Sequence, residues 1–244
     1  MVKIKIDTRA FTPAKSIKKK ADKALTALYD ECVEIGKELD AIYSRDPAAK
    51  SKAEVALLYS GFHAILLHRV AHLMQKNGLT LCARLVSQTC KFLTGIEIHP
   101  SAKIGRGVFI DHGEGVVIGE TAEVGDNCTI YQGVTLGGTG KETGKRHPTL
   151  GDNVMVGAGA KLLGSFTVGS NSKIAAGAVV LCDVPENSTA VGIPAKVVRK
   201  SGEKTSEIDL DQVHIPDPVS SEITKLTERI AALEKKITEY EMKG

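Results

Sequence analysis

Ile98-His99-Pro100-Ser101-Ala102-Lys103-Ile104-Gly105-Arg106-Gly107-Val108-Phe109-Ile110 places an aliphatic residue at every sixth position. The beat continues through Ile118, Val124, Ile130 and Leu136, and then through Leu150, Val156, Leu162, Val168, Ile174 and Val180. Ten of these twelve steps are six residues long. Glycine often follows the aliphatic residue, as at Gly105, Gly119, Gly125, Gly137, Gly151, Gly157 and Gly169. An isolated helix repeats every 3.6 residues and a strand every two, so neither accounts for the pattern. Three hexads per turn make a triangular coil, and the expected fold is a hexapeptide-repeat parallel β-helix. The two long steps are informative too. One adds two residues around Asp111-His112, and the other adds eight between Leu136 and Leu150. Insertions in a solenoid become surface loops, and loops on a rigid scaffold carry function.

The bulk numbers fit that reading. Of the 244 residues 42% are hydrophobic, enough for a core, while aromatics are 4% and Trp is absent, as suits a narrow interior of Ile, Val and Leu. The net charge of +3 argues neither for nor against nucleic acid. The run Lys18-Lys19-Lys20 reads as a solvated helix end. The five cysteines, Cys32, Cys82, Cys90, Cys128 and Cys182, are odd in number and never spaced CxxC, so reduced thiols are expected rather than a disulfide framework or zinc site. Cys128 falls on an inward repeat position. No apolar signal core and no run of 18 apolar residues is present, so a soluble cytoplasmic protein is expected.

Outward from the repeat, the chain divides into four parts. Residues 1–95 are expected to form a helical N-terminal domain, with helical patterns over about 14–45, 52–76 and 79–94. Pro47 interrupts the first, Asn77-Gly78 stops the second and Gly95 ends the third. Residues 96–200 form the β-helix, with a loop over 137–149, and 201–220, with Pro216 and Pro218, read as a linker. Over 221–244, Ile223, Leu226, Ile230, Leu233, Ile237 and Tyr240 alternate steps of three and four, which is a heptad seam. It is too short to hold alone, and it forms if it packs on the body or if copies are held together, as a trimerising solenoid would do; the other reading is a frayed amphipathic helix. The expected class is α+β: helices, then a left-handed parallel β-helix, then a short heptad helix.

Counting hexads assigns faces. Ile98, Ile118 and Leu136 start face one, Ile104, Val124 and Leu150 face two, and Ile110, Ile130 and Val156 face three. Glu97 and His112 then approach the same corner one coil apart, where a carboxylate beside an imidazole would fix its tautomer and leave a general base. Asp111 adjoins them. The long loop leaves a different corner and carries Arg146 and His147, so a site combining the two corners requires two copies of the chain. Gly137-Gly138-Thr139-Gly140-Lys141 fails the Walker A pattern and opens no helix, which argues against a nucleoside triphosphate. His63, His68 and His72, on one helical stretch, read as packing or solvent-facing residues.

The segments Gly95 to Gly107, Ile110-Asp111-His112-Gly113, Val117 to Thr121, Gly133 to Lys141, Lys145-Arg146-His147-Pro148 and Gly192 to Lys196 together resemble the serine O-acetyltransferase family, over about residues 45–200. The resemblance implies acetyl transfer from acetyl-CoA to the L-serine hydroxyl, without a metal or covalent enzyme intermediate. It suggests His112 as general base and Glu97 as its partner. Asp46 and Asp111 would hold the serine amino group, and Arg146 and His147 its carboxylate or hydroxyl side. Gly138, Thr139, Ala158 and Ala176 match positions along the acetyl-CoA groove, and Lys196 would meet CoA phosphates. A homotrimer or a dimer of trimers is implied, as is inhibition by L-cysteine. The family tail that docks into O-acetylserine sulfhydrylase often ends in isoleucine. This chain ends Met242-Lys243-Gly244, which argues against that complex. Two readings compete: an acyltransferase for another acceptor, such as homoserine or a sugar, and a carbonic anhydrase or assembly subunit, the former needing His99, His112 and His147 to converge on zinc.

Overall fold

The computed structural model describes residues 33–140, 143–199 and 218–241. The part of the expected first helix before residue 33, most of the 201–220 linker and the last three residues lie outside them. Helix α1 is described over 33–45, and α2 (Lys52–Leu58), α3 (Ser60–Lys76) and α4 (Thr80–Thr94) follow. The second helical pattern is therefore two helices. Tyr59 breaks it with an extended backbone (φ −84°, ψ 108°), and its side chain is committed elsewhere, as described below. Ser51 caps α2 by accepting from the Glu54 amide, and Gly95, at φ 73°, ends α4 in the left-handed conformation.

Thirteen short strands then wind into a solenoid whose three sheets reproduce the three hexad faces. Face one joins β1 (Glu97–Ile98), β4 (Val117–Ile118), β7 (Thr135–Gly137), β10 (Lys161–Leu163) and β13 (Val179–Val180). Face two joins β2 (Lys103–Ile104), β5 (Glu123–Val124), β8 (Thr149–Leu150) and β11 (Thr167–Val168). Face three joins β3 (Phe109–Asp111), β6 (Thr129–Tyr131), β9 (Met155–Val156) and β12 (Lys173–Ile174), and ends in β14 (Ser188–Gly192) and β15 (Ala195–Arg199). All pairings are parallel until β14 meets β15 antiparallel. The register is that of the beat: Ile98 pairs Ile118, Ile118 pairs Leu136, and Ile130 pairs Val156.

These aliphatic residues fill the interior, together with the residue two positions earlier, which in several hexads is smaller, as at Ala102, Ala122, Cys128, Ala160 and Ala178, all nearly or fully buried. Stacked Ile, Val and Leu with little void supply the main stabilisation. The corner between faces three and one is a column of glycines at positive φ, namely Gly95, Gly115, Gly133, Gly159 and Gly177. A tight corner of that hand excludes an ordinary side chain. The N-terminal helices pack on the first coil, α3 against β3 and β1 and α4 against β1. Gly61, at the start of α3, lies so close to β3 that a Cβ there would fall 2.0 Å from the Ile110 carbonyl oxygen. Arg69 of α3 donates to Glu38 of α1 and to the carbonyls of Ile104 and Gly105, so one guanidinium ties both helices to the solenoid.

Helix α5 runs from Pro218 to Glu241, beginning inside the expected linker. Proline suits a first helical turn, where its missing N–H costs nothing.

Candidate active site

The two-residue insertion extends the first coil just before the glycine corner. Its His112 adopts φ 54°, one of five non-glycine residues at positive φ among the described residues; the other four are asparagines. Strain of this kind in a histidine marks a position held by its surroundings. The turn presents the ring outward, with the side chain 78% exposed and Nε2 3.8 Å from Asp111 Oδ1. Burial pushes the Asp111 carboxyl above its usual range, and the Asp46 carboxylate adds to the rise while the His112 ring opposes it.

Asp46 comes from the chain just after α1. Its Oδ1 accepts from the Ala48 amide at 2.8 Å, and its Oδ2 accepts from the Tyr59 hydroxyl at 2.5 Å. That bond pushes the Tyr59 phenol up to about 12. Asp46, Tyr59, Gly61, Ile110, Asp111 and His112 together line a 280 Å³ cavity between the helical domain and face three. The sequence brings Asp46, Asp111 and His112 to light as candidates. Tyr59 is not visible there, because it sits inside an uninterrupted helical pattern.

Glu97 does not stack on His112 as the face count leads one to expect. Its Oε2 accepts from Lys91 of α4 at 2.5 Å, and the carboxylate within ion-pair range of the His112 ring is that of Asp111. Lys91 precedes Glu97 by six residues, and the turn at Gly95 folds it back onto the strand.

The base of the eight-residue insertion is fixed to the corner between faces one and two. Thr121 Oγ1 accepts from the Arg146 and His147 amides at 3.0 and 3.2 Å, and lies 2.8 Å from His147 Nδ1. The Thr121 amide also donates to that Nδ1. A ring nitrogen that accepts from an amide carries no proton, so the His147 proton sits on Nε2 and that atom is a donor. Burial, with Arg146 beside it, lowers the His147 pKa, which keeps the ring neutral near pH 7. The ring packs on Gly119, where a Cβ would fall 2.0 Å from Nε2. Arg146 donates to Glu120 at 2.6 Å. Thr121 therefore organises this group, a role that its place in a repeat corner conceals.

Among the described residues no hydrogen bond or ion pair joins the His112 group to the Arg146-His147 group. Nor do three or more His, Cys, Asp or Glu side chains gather as metal ligands among them, and within one chain His99, His112 and His147 do not converge. His99 keeps its Nδ1 on the Ser101 amide. Gly138 and Thr139 lie exposed where the loop leaves face one, and Gly138 packs on the Arg146 stem. Ala158 and Ala176 stack on successive coils at the glycine corner, the Gly177 amide donating to the Ala158 carbonyl. Lys196 stands on β15 opposite Val191. The buried Cys128 thiol donates to the Gly151 carbonyl, and burial pushes it up to about 12, so it is no acyl carrier.

Comparison with known proteins adds to this geometry. Residues 4–66 match the family described as "Serine acetyltransferase, N-terminal", and residues 147–182 match "Bacterial transferase hexapeptide (six repeats)". A serine acetyltransferase of Bacillus subtilis is 55% identical over 200 residues, spanning 82% of this chain and 92% of that protein. The crystal structure of Neisseria gonorrhoeae serine acetyltransferase in complex with serine superposes with a TM-score of 0.67 at 45% identity, covering 71% of this chain and 72% of that one. A serine acetyltransferase in complex with cysteine gives a TM-score of 0.74 at 38% identity, covering 83% and 79%. With the fold, the repeat register and this extent of identity in agreement, the chain belongs to the serine acetyltransferase family.

Proposed function

We propose that this chain transfers the acetyl group of acetyl-CoA to the hydroxyl of L-serine, giving O-acetyl-L-serine and CoA for cysteine synthesis. The observation that carries the reading is the single cavity in which Asp46, Asp111 and His112 meet. Two carboxylates facing one pocket, one of them desolvated, favour a cationic group between them. The ammonium of an amino acid is such a group, and it would leave the β-hydroxyl beside the imidazole.

His112 then removes the hydroxyl proton as the oxygen attacks the thioester carbonyl. The tetrahedral oxyanion collapses, the C–S bond breaks, and the CoA thiolate takes up the proton from the imidazolium. General-base help of this kind is worth about 10²–10⁴-fold. Glu97 supports the base if it exchanges Lys91 for the imidazole in the loaded site. His147, a neutral donor at Nε2, and Arg146 suit the substrate carboxylate. Because they stand on another corner, the complete site takes His112 from one copy and the loop from the next, in a trimer. Gly138, Thr139, Ala158 and Ala176 would line the acetyl-CoA arm, and Lys196 would face its phosphates. L-Cysteine, which has a thiol where serine has a hydroxyl, would occupy the same pocket and inhibit. Among the described residues no helix is long and apolar enough to cross a membrane.

Thiol release from acetyl-CoA, measured with and without L-serine, tests the assignment. Serine-dependent release that drops at least 10²-fold in His112→Ala is expected. Release driven by homoserine or a sugar in place of serine would reassign the acceptor, and full activity in the variant would remove His112 from the chemistry.

A further inference from the structure

Three consecutive residues at the corner between faces one and two hold three consecutive residues of the loop base. Thr121 engages them with every polar group it has. Its carbonyl accepts from Lys145 Nζ at 2.8 Å, its amide donates to His147 Nδ1, and its hydroxyl accepts from the Arg146 and His147 amides. A hydroxyl has two lone pairs and one proton. The two amides take both lone pairs, so the proton goes to His147 Nδ1, 2.8 Å away. Glu120 accepts from the Arg146 guanidinium. Gly119 contributes by having no side chain, since a Cβ there would overlap Cδ2 and Nε2 of the buried His147 ring. Gly119 is not one of the glycines at positive φ, so its backbone would accept a side chain and the ring is what forbids one.

The preceding coil shows what the imported ring replaces. Ile98 pairs Ile118 and Lys103 pairs Glu123, so His99 and Gly119 stand at the same place on successive coils, as do Ser101 and Thr121. His99 Nδ1 accepts from the Ser101 amide at 3.1 Å, and His147 Nδ1 accepts from the Thr121 amide at 3.2 Å. The first coil thus seats its own imidazole on the corner amide. The second coil has glycine at that place, and the loop brings the ring to the same kind of amide.

We propose that Gly119 and Thr121 are positioning residues for acceptor recognition: the space left by one and the polar groups of the other fix the His147 ring as an Nε2 donor to the acceptor's carboxylate. This role rests on the reading that Arg146 and His147 bind that carboxylate, because Gly119 and Thr121 act on it only through the ring.

A double-mutant cycle in the full chain tests this role. Serine kinetics at saturating acetyl-CoA and thermal melts are measured for the unaltered chain, Gly119→Ala, His147→Ala and the two together. Each single change should raise the serine KM about tenfold or more, the scale of a hydrogen bond to a charged group, with the acetyl-CoA KM unchanged. The pair should be no worse than His147→Ala alone, because the added methyl harms serine binding only by displacing the ring. Tm should follow the same pattern, with Gly119→Ala lowering it by about 2–8 °C in the unaltered chain and not at all once the ring is gone. Thr121→Val should raise the serine KM as His147→Ala does, and Thr121→Ser, which keeps the hydroxyl, should restore it. A normal serine KM in Gly119→Ala, effects of Gly119→Ala and His147→Ala that multiply, or a Thr121→Ser chain as impaired as Thr121→Val would each overturn this role alone. An unaltered chain without serine-dependent thiol release would overturn it together with the functional reading.

Discussion

Gly61→Ala sets two effects of known size against each other. Alanine is the better helix former, by about 1 kcal/mol in a helix interior and less in the first turn, where Gly61 stands. Propensity alone therefore predicts slight stabilisation. The packing predicts the opposite. The added Cβ would fall 2.0 Å from the Ile110 carbonyl oxygen and 3.0 Å from its carbon, against an ordinary carbon–oxygen contact of about 3.3 Å. Both obstructing atoms are backbone of β3, so no side chain can swing aside, and α3 has to move off the strand by more than about 1 Å. Overpacking of this kind costs about 1–3 kcal/mol, more than propensity returns. For a chain of this size the net loss lowers Tm by about 2–8 °C. The same movement opens the cavity, because α3 and β3 are two of its walls and Tyr59 sits at the helix start. Misplacement by about 1 Å can cost up to about 10²-fold in rate, so kcat/KM for serine should fall by 10–100-fold while the acetyl-CoA KM changes little. Thermal melts and serine titrations at saturating acetyl-CoA measure both. Wild-type Tm and serine KM in Gly61→Ala would refute the close approach of α3 to β3 as the feature that shapes the pocket.

Two further expectations follow from single contacts. Tyr59→Phe removes the hydroxyl that holds Asp46 Oδ2, a hydrogen bond to a charged group worth about 1.5–3 kcal/mol; the serine KM should rise about tenfold with kcat little changed, whereas an equal loss in both parameters would place Tyr59 in the chemical step. His68 is 4% exposed, with Nδ1 unpaired, and burial lowers its pKa to about 3. A folded pKa below the unfolded value of about 6.5 means that the unfolded chain binds the proton first, so stability is intact above pH 6.5 and is lost progressively below it. At pH 4.5 the loss from this residue is about 2–3 kcal/mol, and denaturant melts of His68→Gln should show a correspondingly shallower decline with acid, an unchanged slope counting against the assignment.

How far the sequence discloses the molecule depends on whether a feature is periodic. Ile98, Ile118 and Leu136 pair where the six-residue beat puts them, because each coil must bury one aliphatic residue per face and a slip would expose a whole column. Asp111-His112 is legible as a break in that beat, and Gly95 as the stop of α4. Features set by tertiary contact are not. Tyr59 reads as helix by propensity, yet its hydroxyl bonds Asp46 across the cavity, 13 residues away. Glu97 sits at the corner the face count assigns, but Lys91, from a helix the count does not include, takes its carboxylate. Thr121 looks like any repeat-corner residue until the loop folds back onto its hydroxyl.

The central claim is that His112 of one copy works with Arg146 and His147 of another. Complementation tests it most directly. His112→Ala chains and chains carrying Arg146→Ala with His147→Ala are each expected to be inactive alone. When they are unfolded together, mixed in equal amounts and refolded, a site shared between neighbouring copies has about one chance in four of receiving an intact half from each. The mixture should therefore recover about a quarter of the wild-type serine-dependent CoA release. A mixture as inactive as its components, with mixed assemblies verified by mass, would contradict the shared site and place all three residues in the service of a single chain.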